Sequence, residues 1–230
     1  MRKNGYRLIS YKQYCATDLS IFAVILLVAE ATAFLAAKLF PSEALYTFSF
    51  MVPIVMLVMI RWGWQSVFFA VASGVLYCVF NKGSFTNYIV YGIGNCFIMF
   101  MLLPLKLVGV QKIVSKTWSL LLVVAGGWLS VYLGRSTVYA IAFAIAPVAG
   151  GSAWTGFAGF ASFDLLSLVM ALIVIWVLRH FDGMVEFQRD YLKRLGKERD
   201  DRMRRDAFGD EPTDIDEEAL SILHKDDGLY

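Results

Sequence analysis

Charge is scarce through most of this 230-residue chain. Between residues 21 and 178 it is carried only by Glu30, Lys38, Glu43, Arg61, Lys82, Lys106, Lys112, Lys116, Arg135 and Asp164. A water-soluble domain of that length needs far more, since about a quarter of an ordinary globular sequence is charged. Cysteine and histidine are scarce too. The three cysteines, Cys15, Cys78 and Cys96, form no CxxC pair and the two histidines stand far apart. That spacing supports neither a disulfide framework nor a metal site, and the cysteines read as small apolar fillers. Also missing are a GxxxxGK[ST] loop, a GxSxG elbow, an HExxH helix and paired carboxylates at catalytic spacing. No enzyme activity and no cofactor is expected. If the protein drives a solute uphill with ATP, another subunit must hydrolyse it.

What is present is apolar: 58% of the residues, against 17% charged. The apolar stretch running from FAGFASF through Leu178 reaches the roughly 20 residues that a helix needs to cross about 30 Å of hydrocarbon. At Arg179, His180 and Asp182 it gives way to a dense alternation of both signs, so the membrane surface is expected there. The same reasoning predicts six spans, at 18–40, 44–60, 64–81, 86–105, 118–142 and 157–178. The fold class is therefore all-α, a polytopic membrane protein of six transmembrane helices with a cytoplasmic C-terminal amphipathic helix. Its parts are an N-terminal cytoplasmic segment at 1–17, a membrane domain at 18–180, the amphipathic helix at 181–206 and a disordered acidic tail at 207–230.

Orientation follows from the positive-inside rule. Arg2, Lys3, Arg7, Lys12, Arg61, Lys106, Lys112, Lys116 and Arg179 fall at the termini and the even-numbered loops, and only Lys38 and Lys82 at the others. A multi-pass protein of the plasma membrane with both termini cytoplasmic is expected. The basic start before an apolar run has the look of a signal peptide, with Ala31-Thr32-Ala33 in a cleavage-site pattern, but the run exceeds a normal signal core and more spans follow. The first span is expected to be retained. In the turn Arg61-Trp62-Gly63-Trp64 the glycine permits reversal and both tryptophans are expected at headgroup level. The loop from Asn81 to Tyr88 reads as polar, flexible and outward. After Arg179 a helix is expected to continue to about Arg205, its apolar stripe being Met184, Phe187, Tyr191 and Leu195. Its basic residues are expected to face the anionic leaflet rather than nucleic acid, and eight acidic residues in 207–230 with few large apolar groups predict disorder.

Asp164 breaks the apolar pattern of the last span, and a carboxylate at membrane depth costs about 2.5–3.5 kcal/mol unless partnered. Arg135 stands seven residues before Ala142 and Asp164 seven after Phe157. At 1.5 Å per residue both lie about 10 Å below the outer surface. Either they form a helix-pairing salt bridge or they wall a site. Glu30, Tyr132 and Tyr139 lie at similar height and Asn95 deeper, while Trp154, Phe157, Phe160 and Phe163 recur at intervals of three. These aromatics are either a belt-and-core stripe or a platform for a ring. The polar groups, gathered in the outer half, suit a pocket that opens outward and captures a small molecule. Ala29, Ala33 and Ala37 form a row of small residues on the first span, for close approach of a helix within the chain or of a partner.

The six-span plan, the alanine-rich first span, the runs PIVMLVMIRWGWQSVFFAVASGVLYCVF and YIVYGIGN, and FDLLSLVMALIVIWVLRHFDGMVEFQRDYLKRLGKER together resemble the substrate-binding S components of energy-coupling factor (ECF) transporters. The resemblance covers roughly residues 10–200. It implies capture of a vitamin-like small molecule from outside and docking on a transmembrane T subunit that carries two ABC ATPases. In that family an AxxxA pattern on the first span serves docking, and its best match here is Ala29–Ala33. The resemblance implies a ligand among spans four to six, where Arg135 would hold an anionic or carbonyl group and Asp164 would orient the arginine or accept a ligand N–H. A rival expectation is a non-transport membrane protein, a sensor or an assembly subunit of a membrane complex, acting through its cytoplasmic helix.

Overall fold

A computed structural model describes residues 11–39, 49–145, 152–181 and 183–208, with the backbone alone at 37, 153, 155–164 and 205–208. Every regular element among the described residues is helical: α1 (Tyr11–Leu39), α2 (Met51–Trp62), α3 (Ser66–Phe80), α4 (Phe85–Asn95), α5 (Leu102–Val108), α6 (Val110–Ser115), α7 (Thr117–Ile145), α8 (Ala153–Leu178) and α9 (Gln188–Phe208). The chain divides into two compact units, Met1–Gln188 and Arg189–Tyr230. Among the described residues, four helical stretches are long and apolar enough to cross a membrane by length and composition alone, namely Tyr11–Ala36, Met51–Phe80, Phe85–Val108 and Thr117–Ile145.

The first unit is built around α2. Its sequence MVPIVMLVMIRW is apolar on every side until Arg61, and all of it is buried, because α1, α3, α7 and α8 pack around it. Pro53 is tolerated there because it sits in the first turn, where its missing N–H would have had no helical acceptor. The stretch Met51–Phe80 folds back on itself at Gly63. Asp18 of α1 meets Arg61 and Cys15 meets Gln65 at one end of the bundle. At the other end Glu30 meets Ser49 and Phe34 stacks on Phe80. Thus α2 runs antiparallel to α1, and α3 runs parallel to it. Gly63 makes the reversal at φ +69°, a conformation that side chains rarely adopt.

The two tryptophans of this turn, both expected at headgroup level, have different surroundings. Trp64 is exposed, whereas Trp62 is 7% exposed and donates its indole N–H to Asp18. The polar loop after α3 is a hydrogen-bonded cap rather than a flexible flap. Lys82 takes φ +51°, its N–H donates to the Val79 carbonyl and that of Gly83 to the Cys78 carbonyl, a Schellman arrangement. Ser84 then caps α4 by accepting from the Asn87 N–H.

Between α4 and α5 the helix tightens into a 3-10 stretch over Cys96–Met101. Pro104 lies four residues beyond Phe100, and a proline there can neither donate to that carbonyl nor avoid its ring crowding it, so the preceding turn winds differently. The paths of α4 and α7 come very close. A Cβ on Gly134 would collide with the Gly94 carbonyl and stand 2.6 Å from Phe97 Cβ, so both glycines are required by backbone approach.

The helix predicted to run on from Arg179 is interrupted. α8 ends at Leu178 and α9 begins at Gln188, with Gly183 at φ +71° between them, so Met184 and Phe187 are not part of the helical stripe. A glycine in that conformation ends a helix more readily than it continues one. The second unit, as described, is α9 from Arg189 onward, with Tyr191 and Leu195 four residues apart on its apolar side and the Arg194 guanidinium 5.5 Å from the Tyr191 ring. The acidic tail expected to be disordered lies outside the described residues from 209 onward.

Candidate functional site

Arg135 and Asn95 are brought together. Arg135, 5% exposed, donates from Nε to Asn95 Oδ1 at 2.8 Å, and Asn95 donates in turn from Nδ2 to the Ala70 carbonyl at 3.1 Å. One amide thereby ties α7, α4 and α3 at a single point, using its acceptor for a charge and its donor for a backbone oxygen. The Tyr91 ring lies 4.8 Å from the guanidinium carbon, and Tyr77 packs on Tyr91 with centroids 4.4 Å apart. A cation over an aromatic face in a desolvated setting is worth more than at a surface. Sequence reasoning missed Tyr91, although it precedes Asn95 by four residues and so shares its helical face.

Glu30 is buried as well. Its Oε1 accepts from Ser49 Oγ at 2.6 Å, and the Phe50 and Met51 amides are turned on the same carboxylate. Ser49 Oγ also accepts from the Met51 N–H at 3.0 Å, and the Ser49 N–H donates to Ser167 Oγ at 2.9 Å. An anion at the start of α2 complements the unsatisfied donors and the positive end of the helix dipole. The Arg135 charge acts on this carboxylate as well. Glu30 therefore caps α2 from a neighbouring helix, a role that only tertiary structure discloses.

The predicted pairing of Arg135 with Asp164 lies outside the described residues, since only the backbone of Asp164 is described, within α8. The side chain of Phe160 lies outside them too. Tyr132 is buried and stacks on Trp128 with centroids 5.9 Å apart, and Tyr139 stacks on Phe143 at 6.4 Å. Trp154 is 74% exposed at the start of α8. Beside Arg135, the hydroxyl of Ser136 is buried and has no hydrogen-bond partner among the described residues.

The small-residue row of α1 is in part already used. Ala33 is buried and Ala29 packs on the core of the same unit, so at these positions helices of the chain itself occupy the close approach. The side chain of Ala37 lies outside the described residues.

A second polar cluster, which sequence reasoning also missed, stands at the opposite end of the bundle. Arg61 Nε and Nη2 contact both Asp18 carboxylate oxygens at 2.9–3.1 Å, and Trp62 Nε1 donates to Oδ2 at 2.6 Å. Arg61 Nη1 donates to the carbonyls of Gly183 at 2.7 Å and Met184 at 3.2 Å. Asp18 is the only acidic residue in the first 29, which was the available signal.

Among the described residues no group of three or more histidine, cysteine or acidic side chains is placed to hold a metal ion. No protein-family model matches the chain, and neither a curated protein nor a solved structure matches it.

Proposed function

We propose that this protein is the substrate-capture S subunit of an ECF-type, ATP-driven importer of a vitamin-like small molecule, six-span and multi-pass in the plasma membrane with both termini cytoplasmic. The observation that carries the reading is the buried cluster of Arg135, Asn95 and Tyr91 with the unpaired hydroxyl of Ser136 beside it, inside helices apolar enough for lipid. Buried ionisable groups at membrane depth are costly and belong with ligand or ion sites. An unpaired buried hydroxyl costs about 1–3 kcal/mol, which a bound molecule would recover.

In this reading the guanidinium holds an anionic or carbonyl group, Ser136 supplies a further hydrogen bond, and Asp164 orients the arginine or accepts a ligand N–H. Tyr132 and Tyr139, with Phe160, offer ring faces. The basic residues Arg61, Lys106, Lys112, Lys116 and Arg179 gather toward the Asp18 end and only Lys38 and Lys82 toward the other, which supports a site opening outward. The T subunit, which carries the ATPases, docks within the membrane against the first span, where Ile21, Val24, Ile25 and Val28 of α1 are exposed.

Two measurements test it. Mass spectrometry of the protein purified from its own membranes should detect a bound small molecule that Arg135→Ala loses. Co-purification should recover a T subunit and ABC ATPases. A second reading, a sensor or assembly subunit acting through α9, draws on the dense mixed charge of that helix. Recovery of a different membrane complex with no bound small molecule would favour it and sink the importer.

A further inference from the structure

The polar cluster at the Asp18 end is built in two halves with different strengths. One half is the bidentate pair of Arg61 with Asp18, reinforced by the Trp62 indole and by the Phe22 ring 5.4 Å from the guanidinium carbon. All of its members stand on α1 and α2, which the core of the bundle already holds together. The other half is made to the segment between α8 and α9. Arg61 Nη1 spends its hydrogens on the Gly183 and Met184 carbonyls, Gln188 Nε2 donates to the same Gly183 carbonyl at 3.0 Å, and Tyr14 Oη donates to Gln188 Oε1 at 2.9 Å. Gln188 is fully buried, and Val185 is the one core side chain contributed by this segment.

The geometry points to a releasable latch: Arg61 and Tyr14 fasten the Gly183–Gln188 connector to the Asp18 end of the bundle, and the connector can leave without breaking the Arg61–Asp18 pair. The asymmetry follows from the guanidinium fork. Nε and Nη2 stay on the carboxylate, so the charge remains neutralised in both states, and only hydrogen bonds to neutral acceptors exchange with water. A buried pair that lost its carboxylate would instead leave an uncompensated charge. Toward Arg61 the connector offers backbone carbonyls, and it contributes one buried apolar side chain, so its hold on that guanidinium is weaker than the carboxylate's. Because Gln188 is both the last residue of the connector and the first of α9, whatever engages α9 would act on the bundle through these bonds.

Hydrogen–deuterium exchange on the full chain in lipid nanodiscs tests this. Tyr14→Phe keeps the ring and the Arg61–Asp18 pair and removes one hydrogen bond, so amides of residues 183–188 should exchange about two- to tenfold faster, with Val55 to Met59 of α2 unchanged. Arg61→Lys, whose ammonium cannot hold Asp18 and reach both carbonyls, should accelerate the same amides further. Unchanged exchange over 183–188 in Tyr14→Phe overturns the latch. So does an equal rise over 55–59 in that variant, because the connector would then open only with the whole bundle. Tyr14→Phe decides the matter if Arg61→Lys fails to fold.

Discussion

Asn95 faces Arg135 across the α4–α7 crossing at 2.8 Å, and the glycine before each of them lets the helices approach closely enough for that bond. Gly94 and Gly134 are thus as much a part of the site as the polar groups. The buried arginine is tied to an amide and lies against an aromatic face, and its charge acts on the Glu30 carboxylate as well.

Removing the amide should be costly in a particular way. Asn95→Leu leaves Arg135 Nε and the Ala70 carbonyl without that partner, and each buried group so stranded costs about 1–3 kcal/mol. The midpoint of thermal unfolding in detergent should fall clearly. Adding Arg135→Met to Asn95→Leu should cost less than the two single losses summed, since the bond is already gone. Strict additivity would show that the two residues do not act together.

The glycines give a matched pair of substitutions. Gly134→Ala must push apart α4 and α7, at about 1–3 kcal/mol. Gly92→Ala, one turn from the site and with open space where its Cβ would lie, should be neutral or gain up to about 1 kcal/mol of helix propensity. Thermal midpoints that do not separate the two would contradict the close crossing.

Asp18→Ala strands Arg61 beside an apolar core, and breaking a buried pair from one side typically costs about 3–5 kcal/mol. Loss of folded protein on gel filtration, partly restored by a second change Arg61→Leu, is the expected result. Restoration would identify the stranded charge, rather than the lost carboxylate, as the damage.

Glu30→Ala should behave as the loss of a helix cap, at about 0.5–2 kcal/mol, while the purified protein keeps whatever small molecule it carries. Loss of the bound mass with unchanged unfolding midpoint would return Glu30 to the ligand site.

How far the sequence could be read depended on whether a residue's role is local. Apolar runs, the glycine turn after Trp62 and the all-helical class of the described residues were legible because hydrogen bonding inside hydrocarbon leaves a chain few options. The membership of Arg135 and Asn95 in one cluster was legible only as a similarity of depth. The roles of Asp18, Tyr91 and Glu30 were not, because each acts on a residue of another helix. Trp62 illustrates the limit: its position beside a turn suggested a headgroup anchor, yet its indole closes an internal ion pair. The break before Gln188 was hidden for a similar reason, since the stripe counted through Met184 and Phe187 ignored what Gly183 does to the backbone.

Composition and periodicity by themselves settled that the chain is helical and suited to a bilayer, because burying uncompensated backbone or charge in lipid is too costly to be overridden by detail. Only the tertiary structure decided that α2 is the enclosed helix, that Arg135 answers to Asn95 and that Asp18 answers to Arg61. Such pairings depend on which helix faces cross and how closely, and that geometry is set by small residues and packing far apart in the sequence.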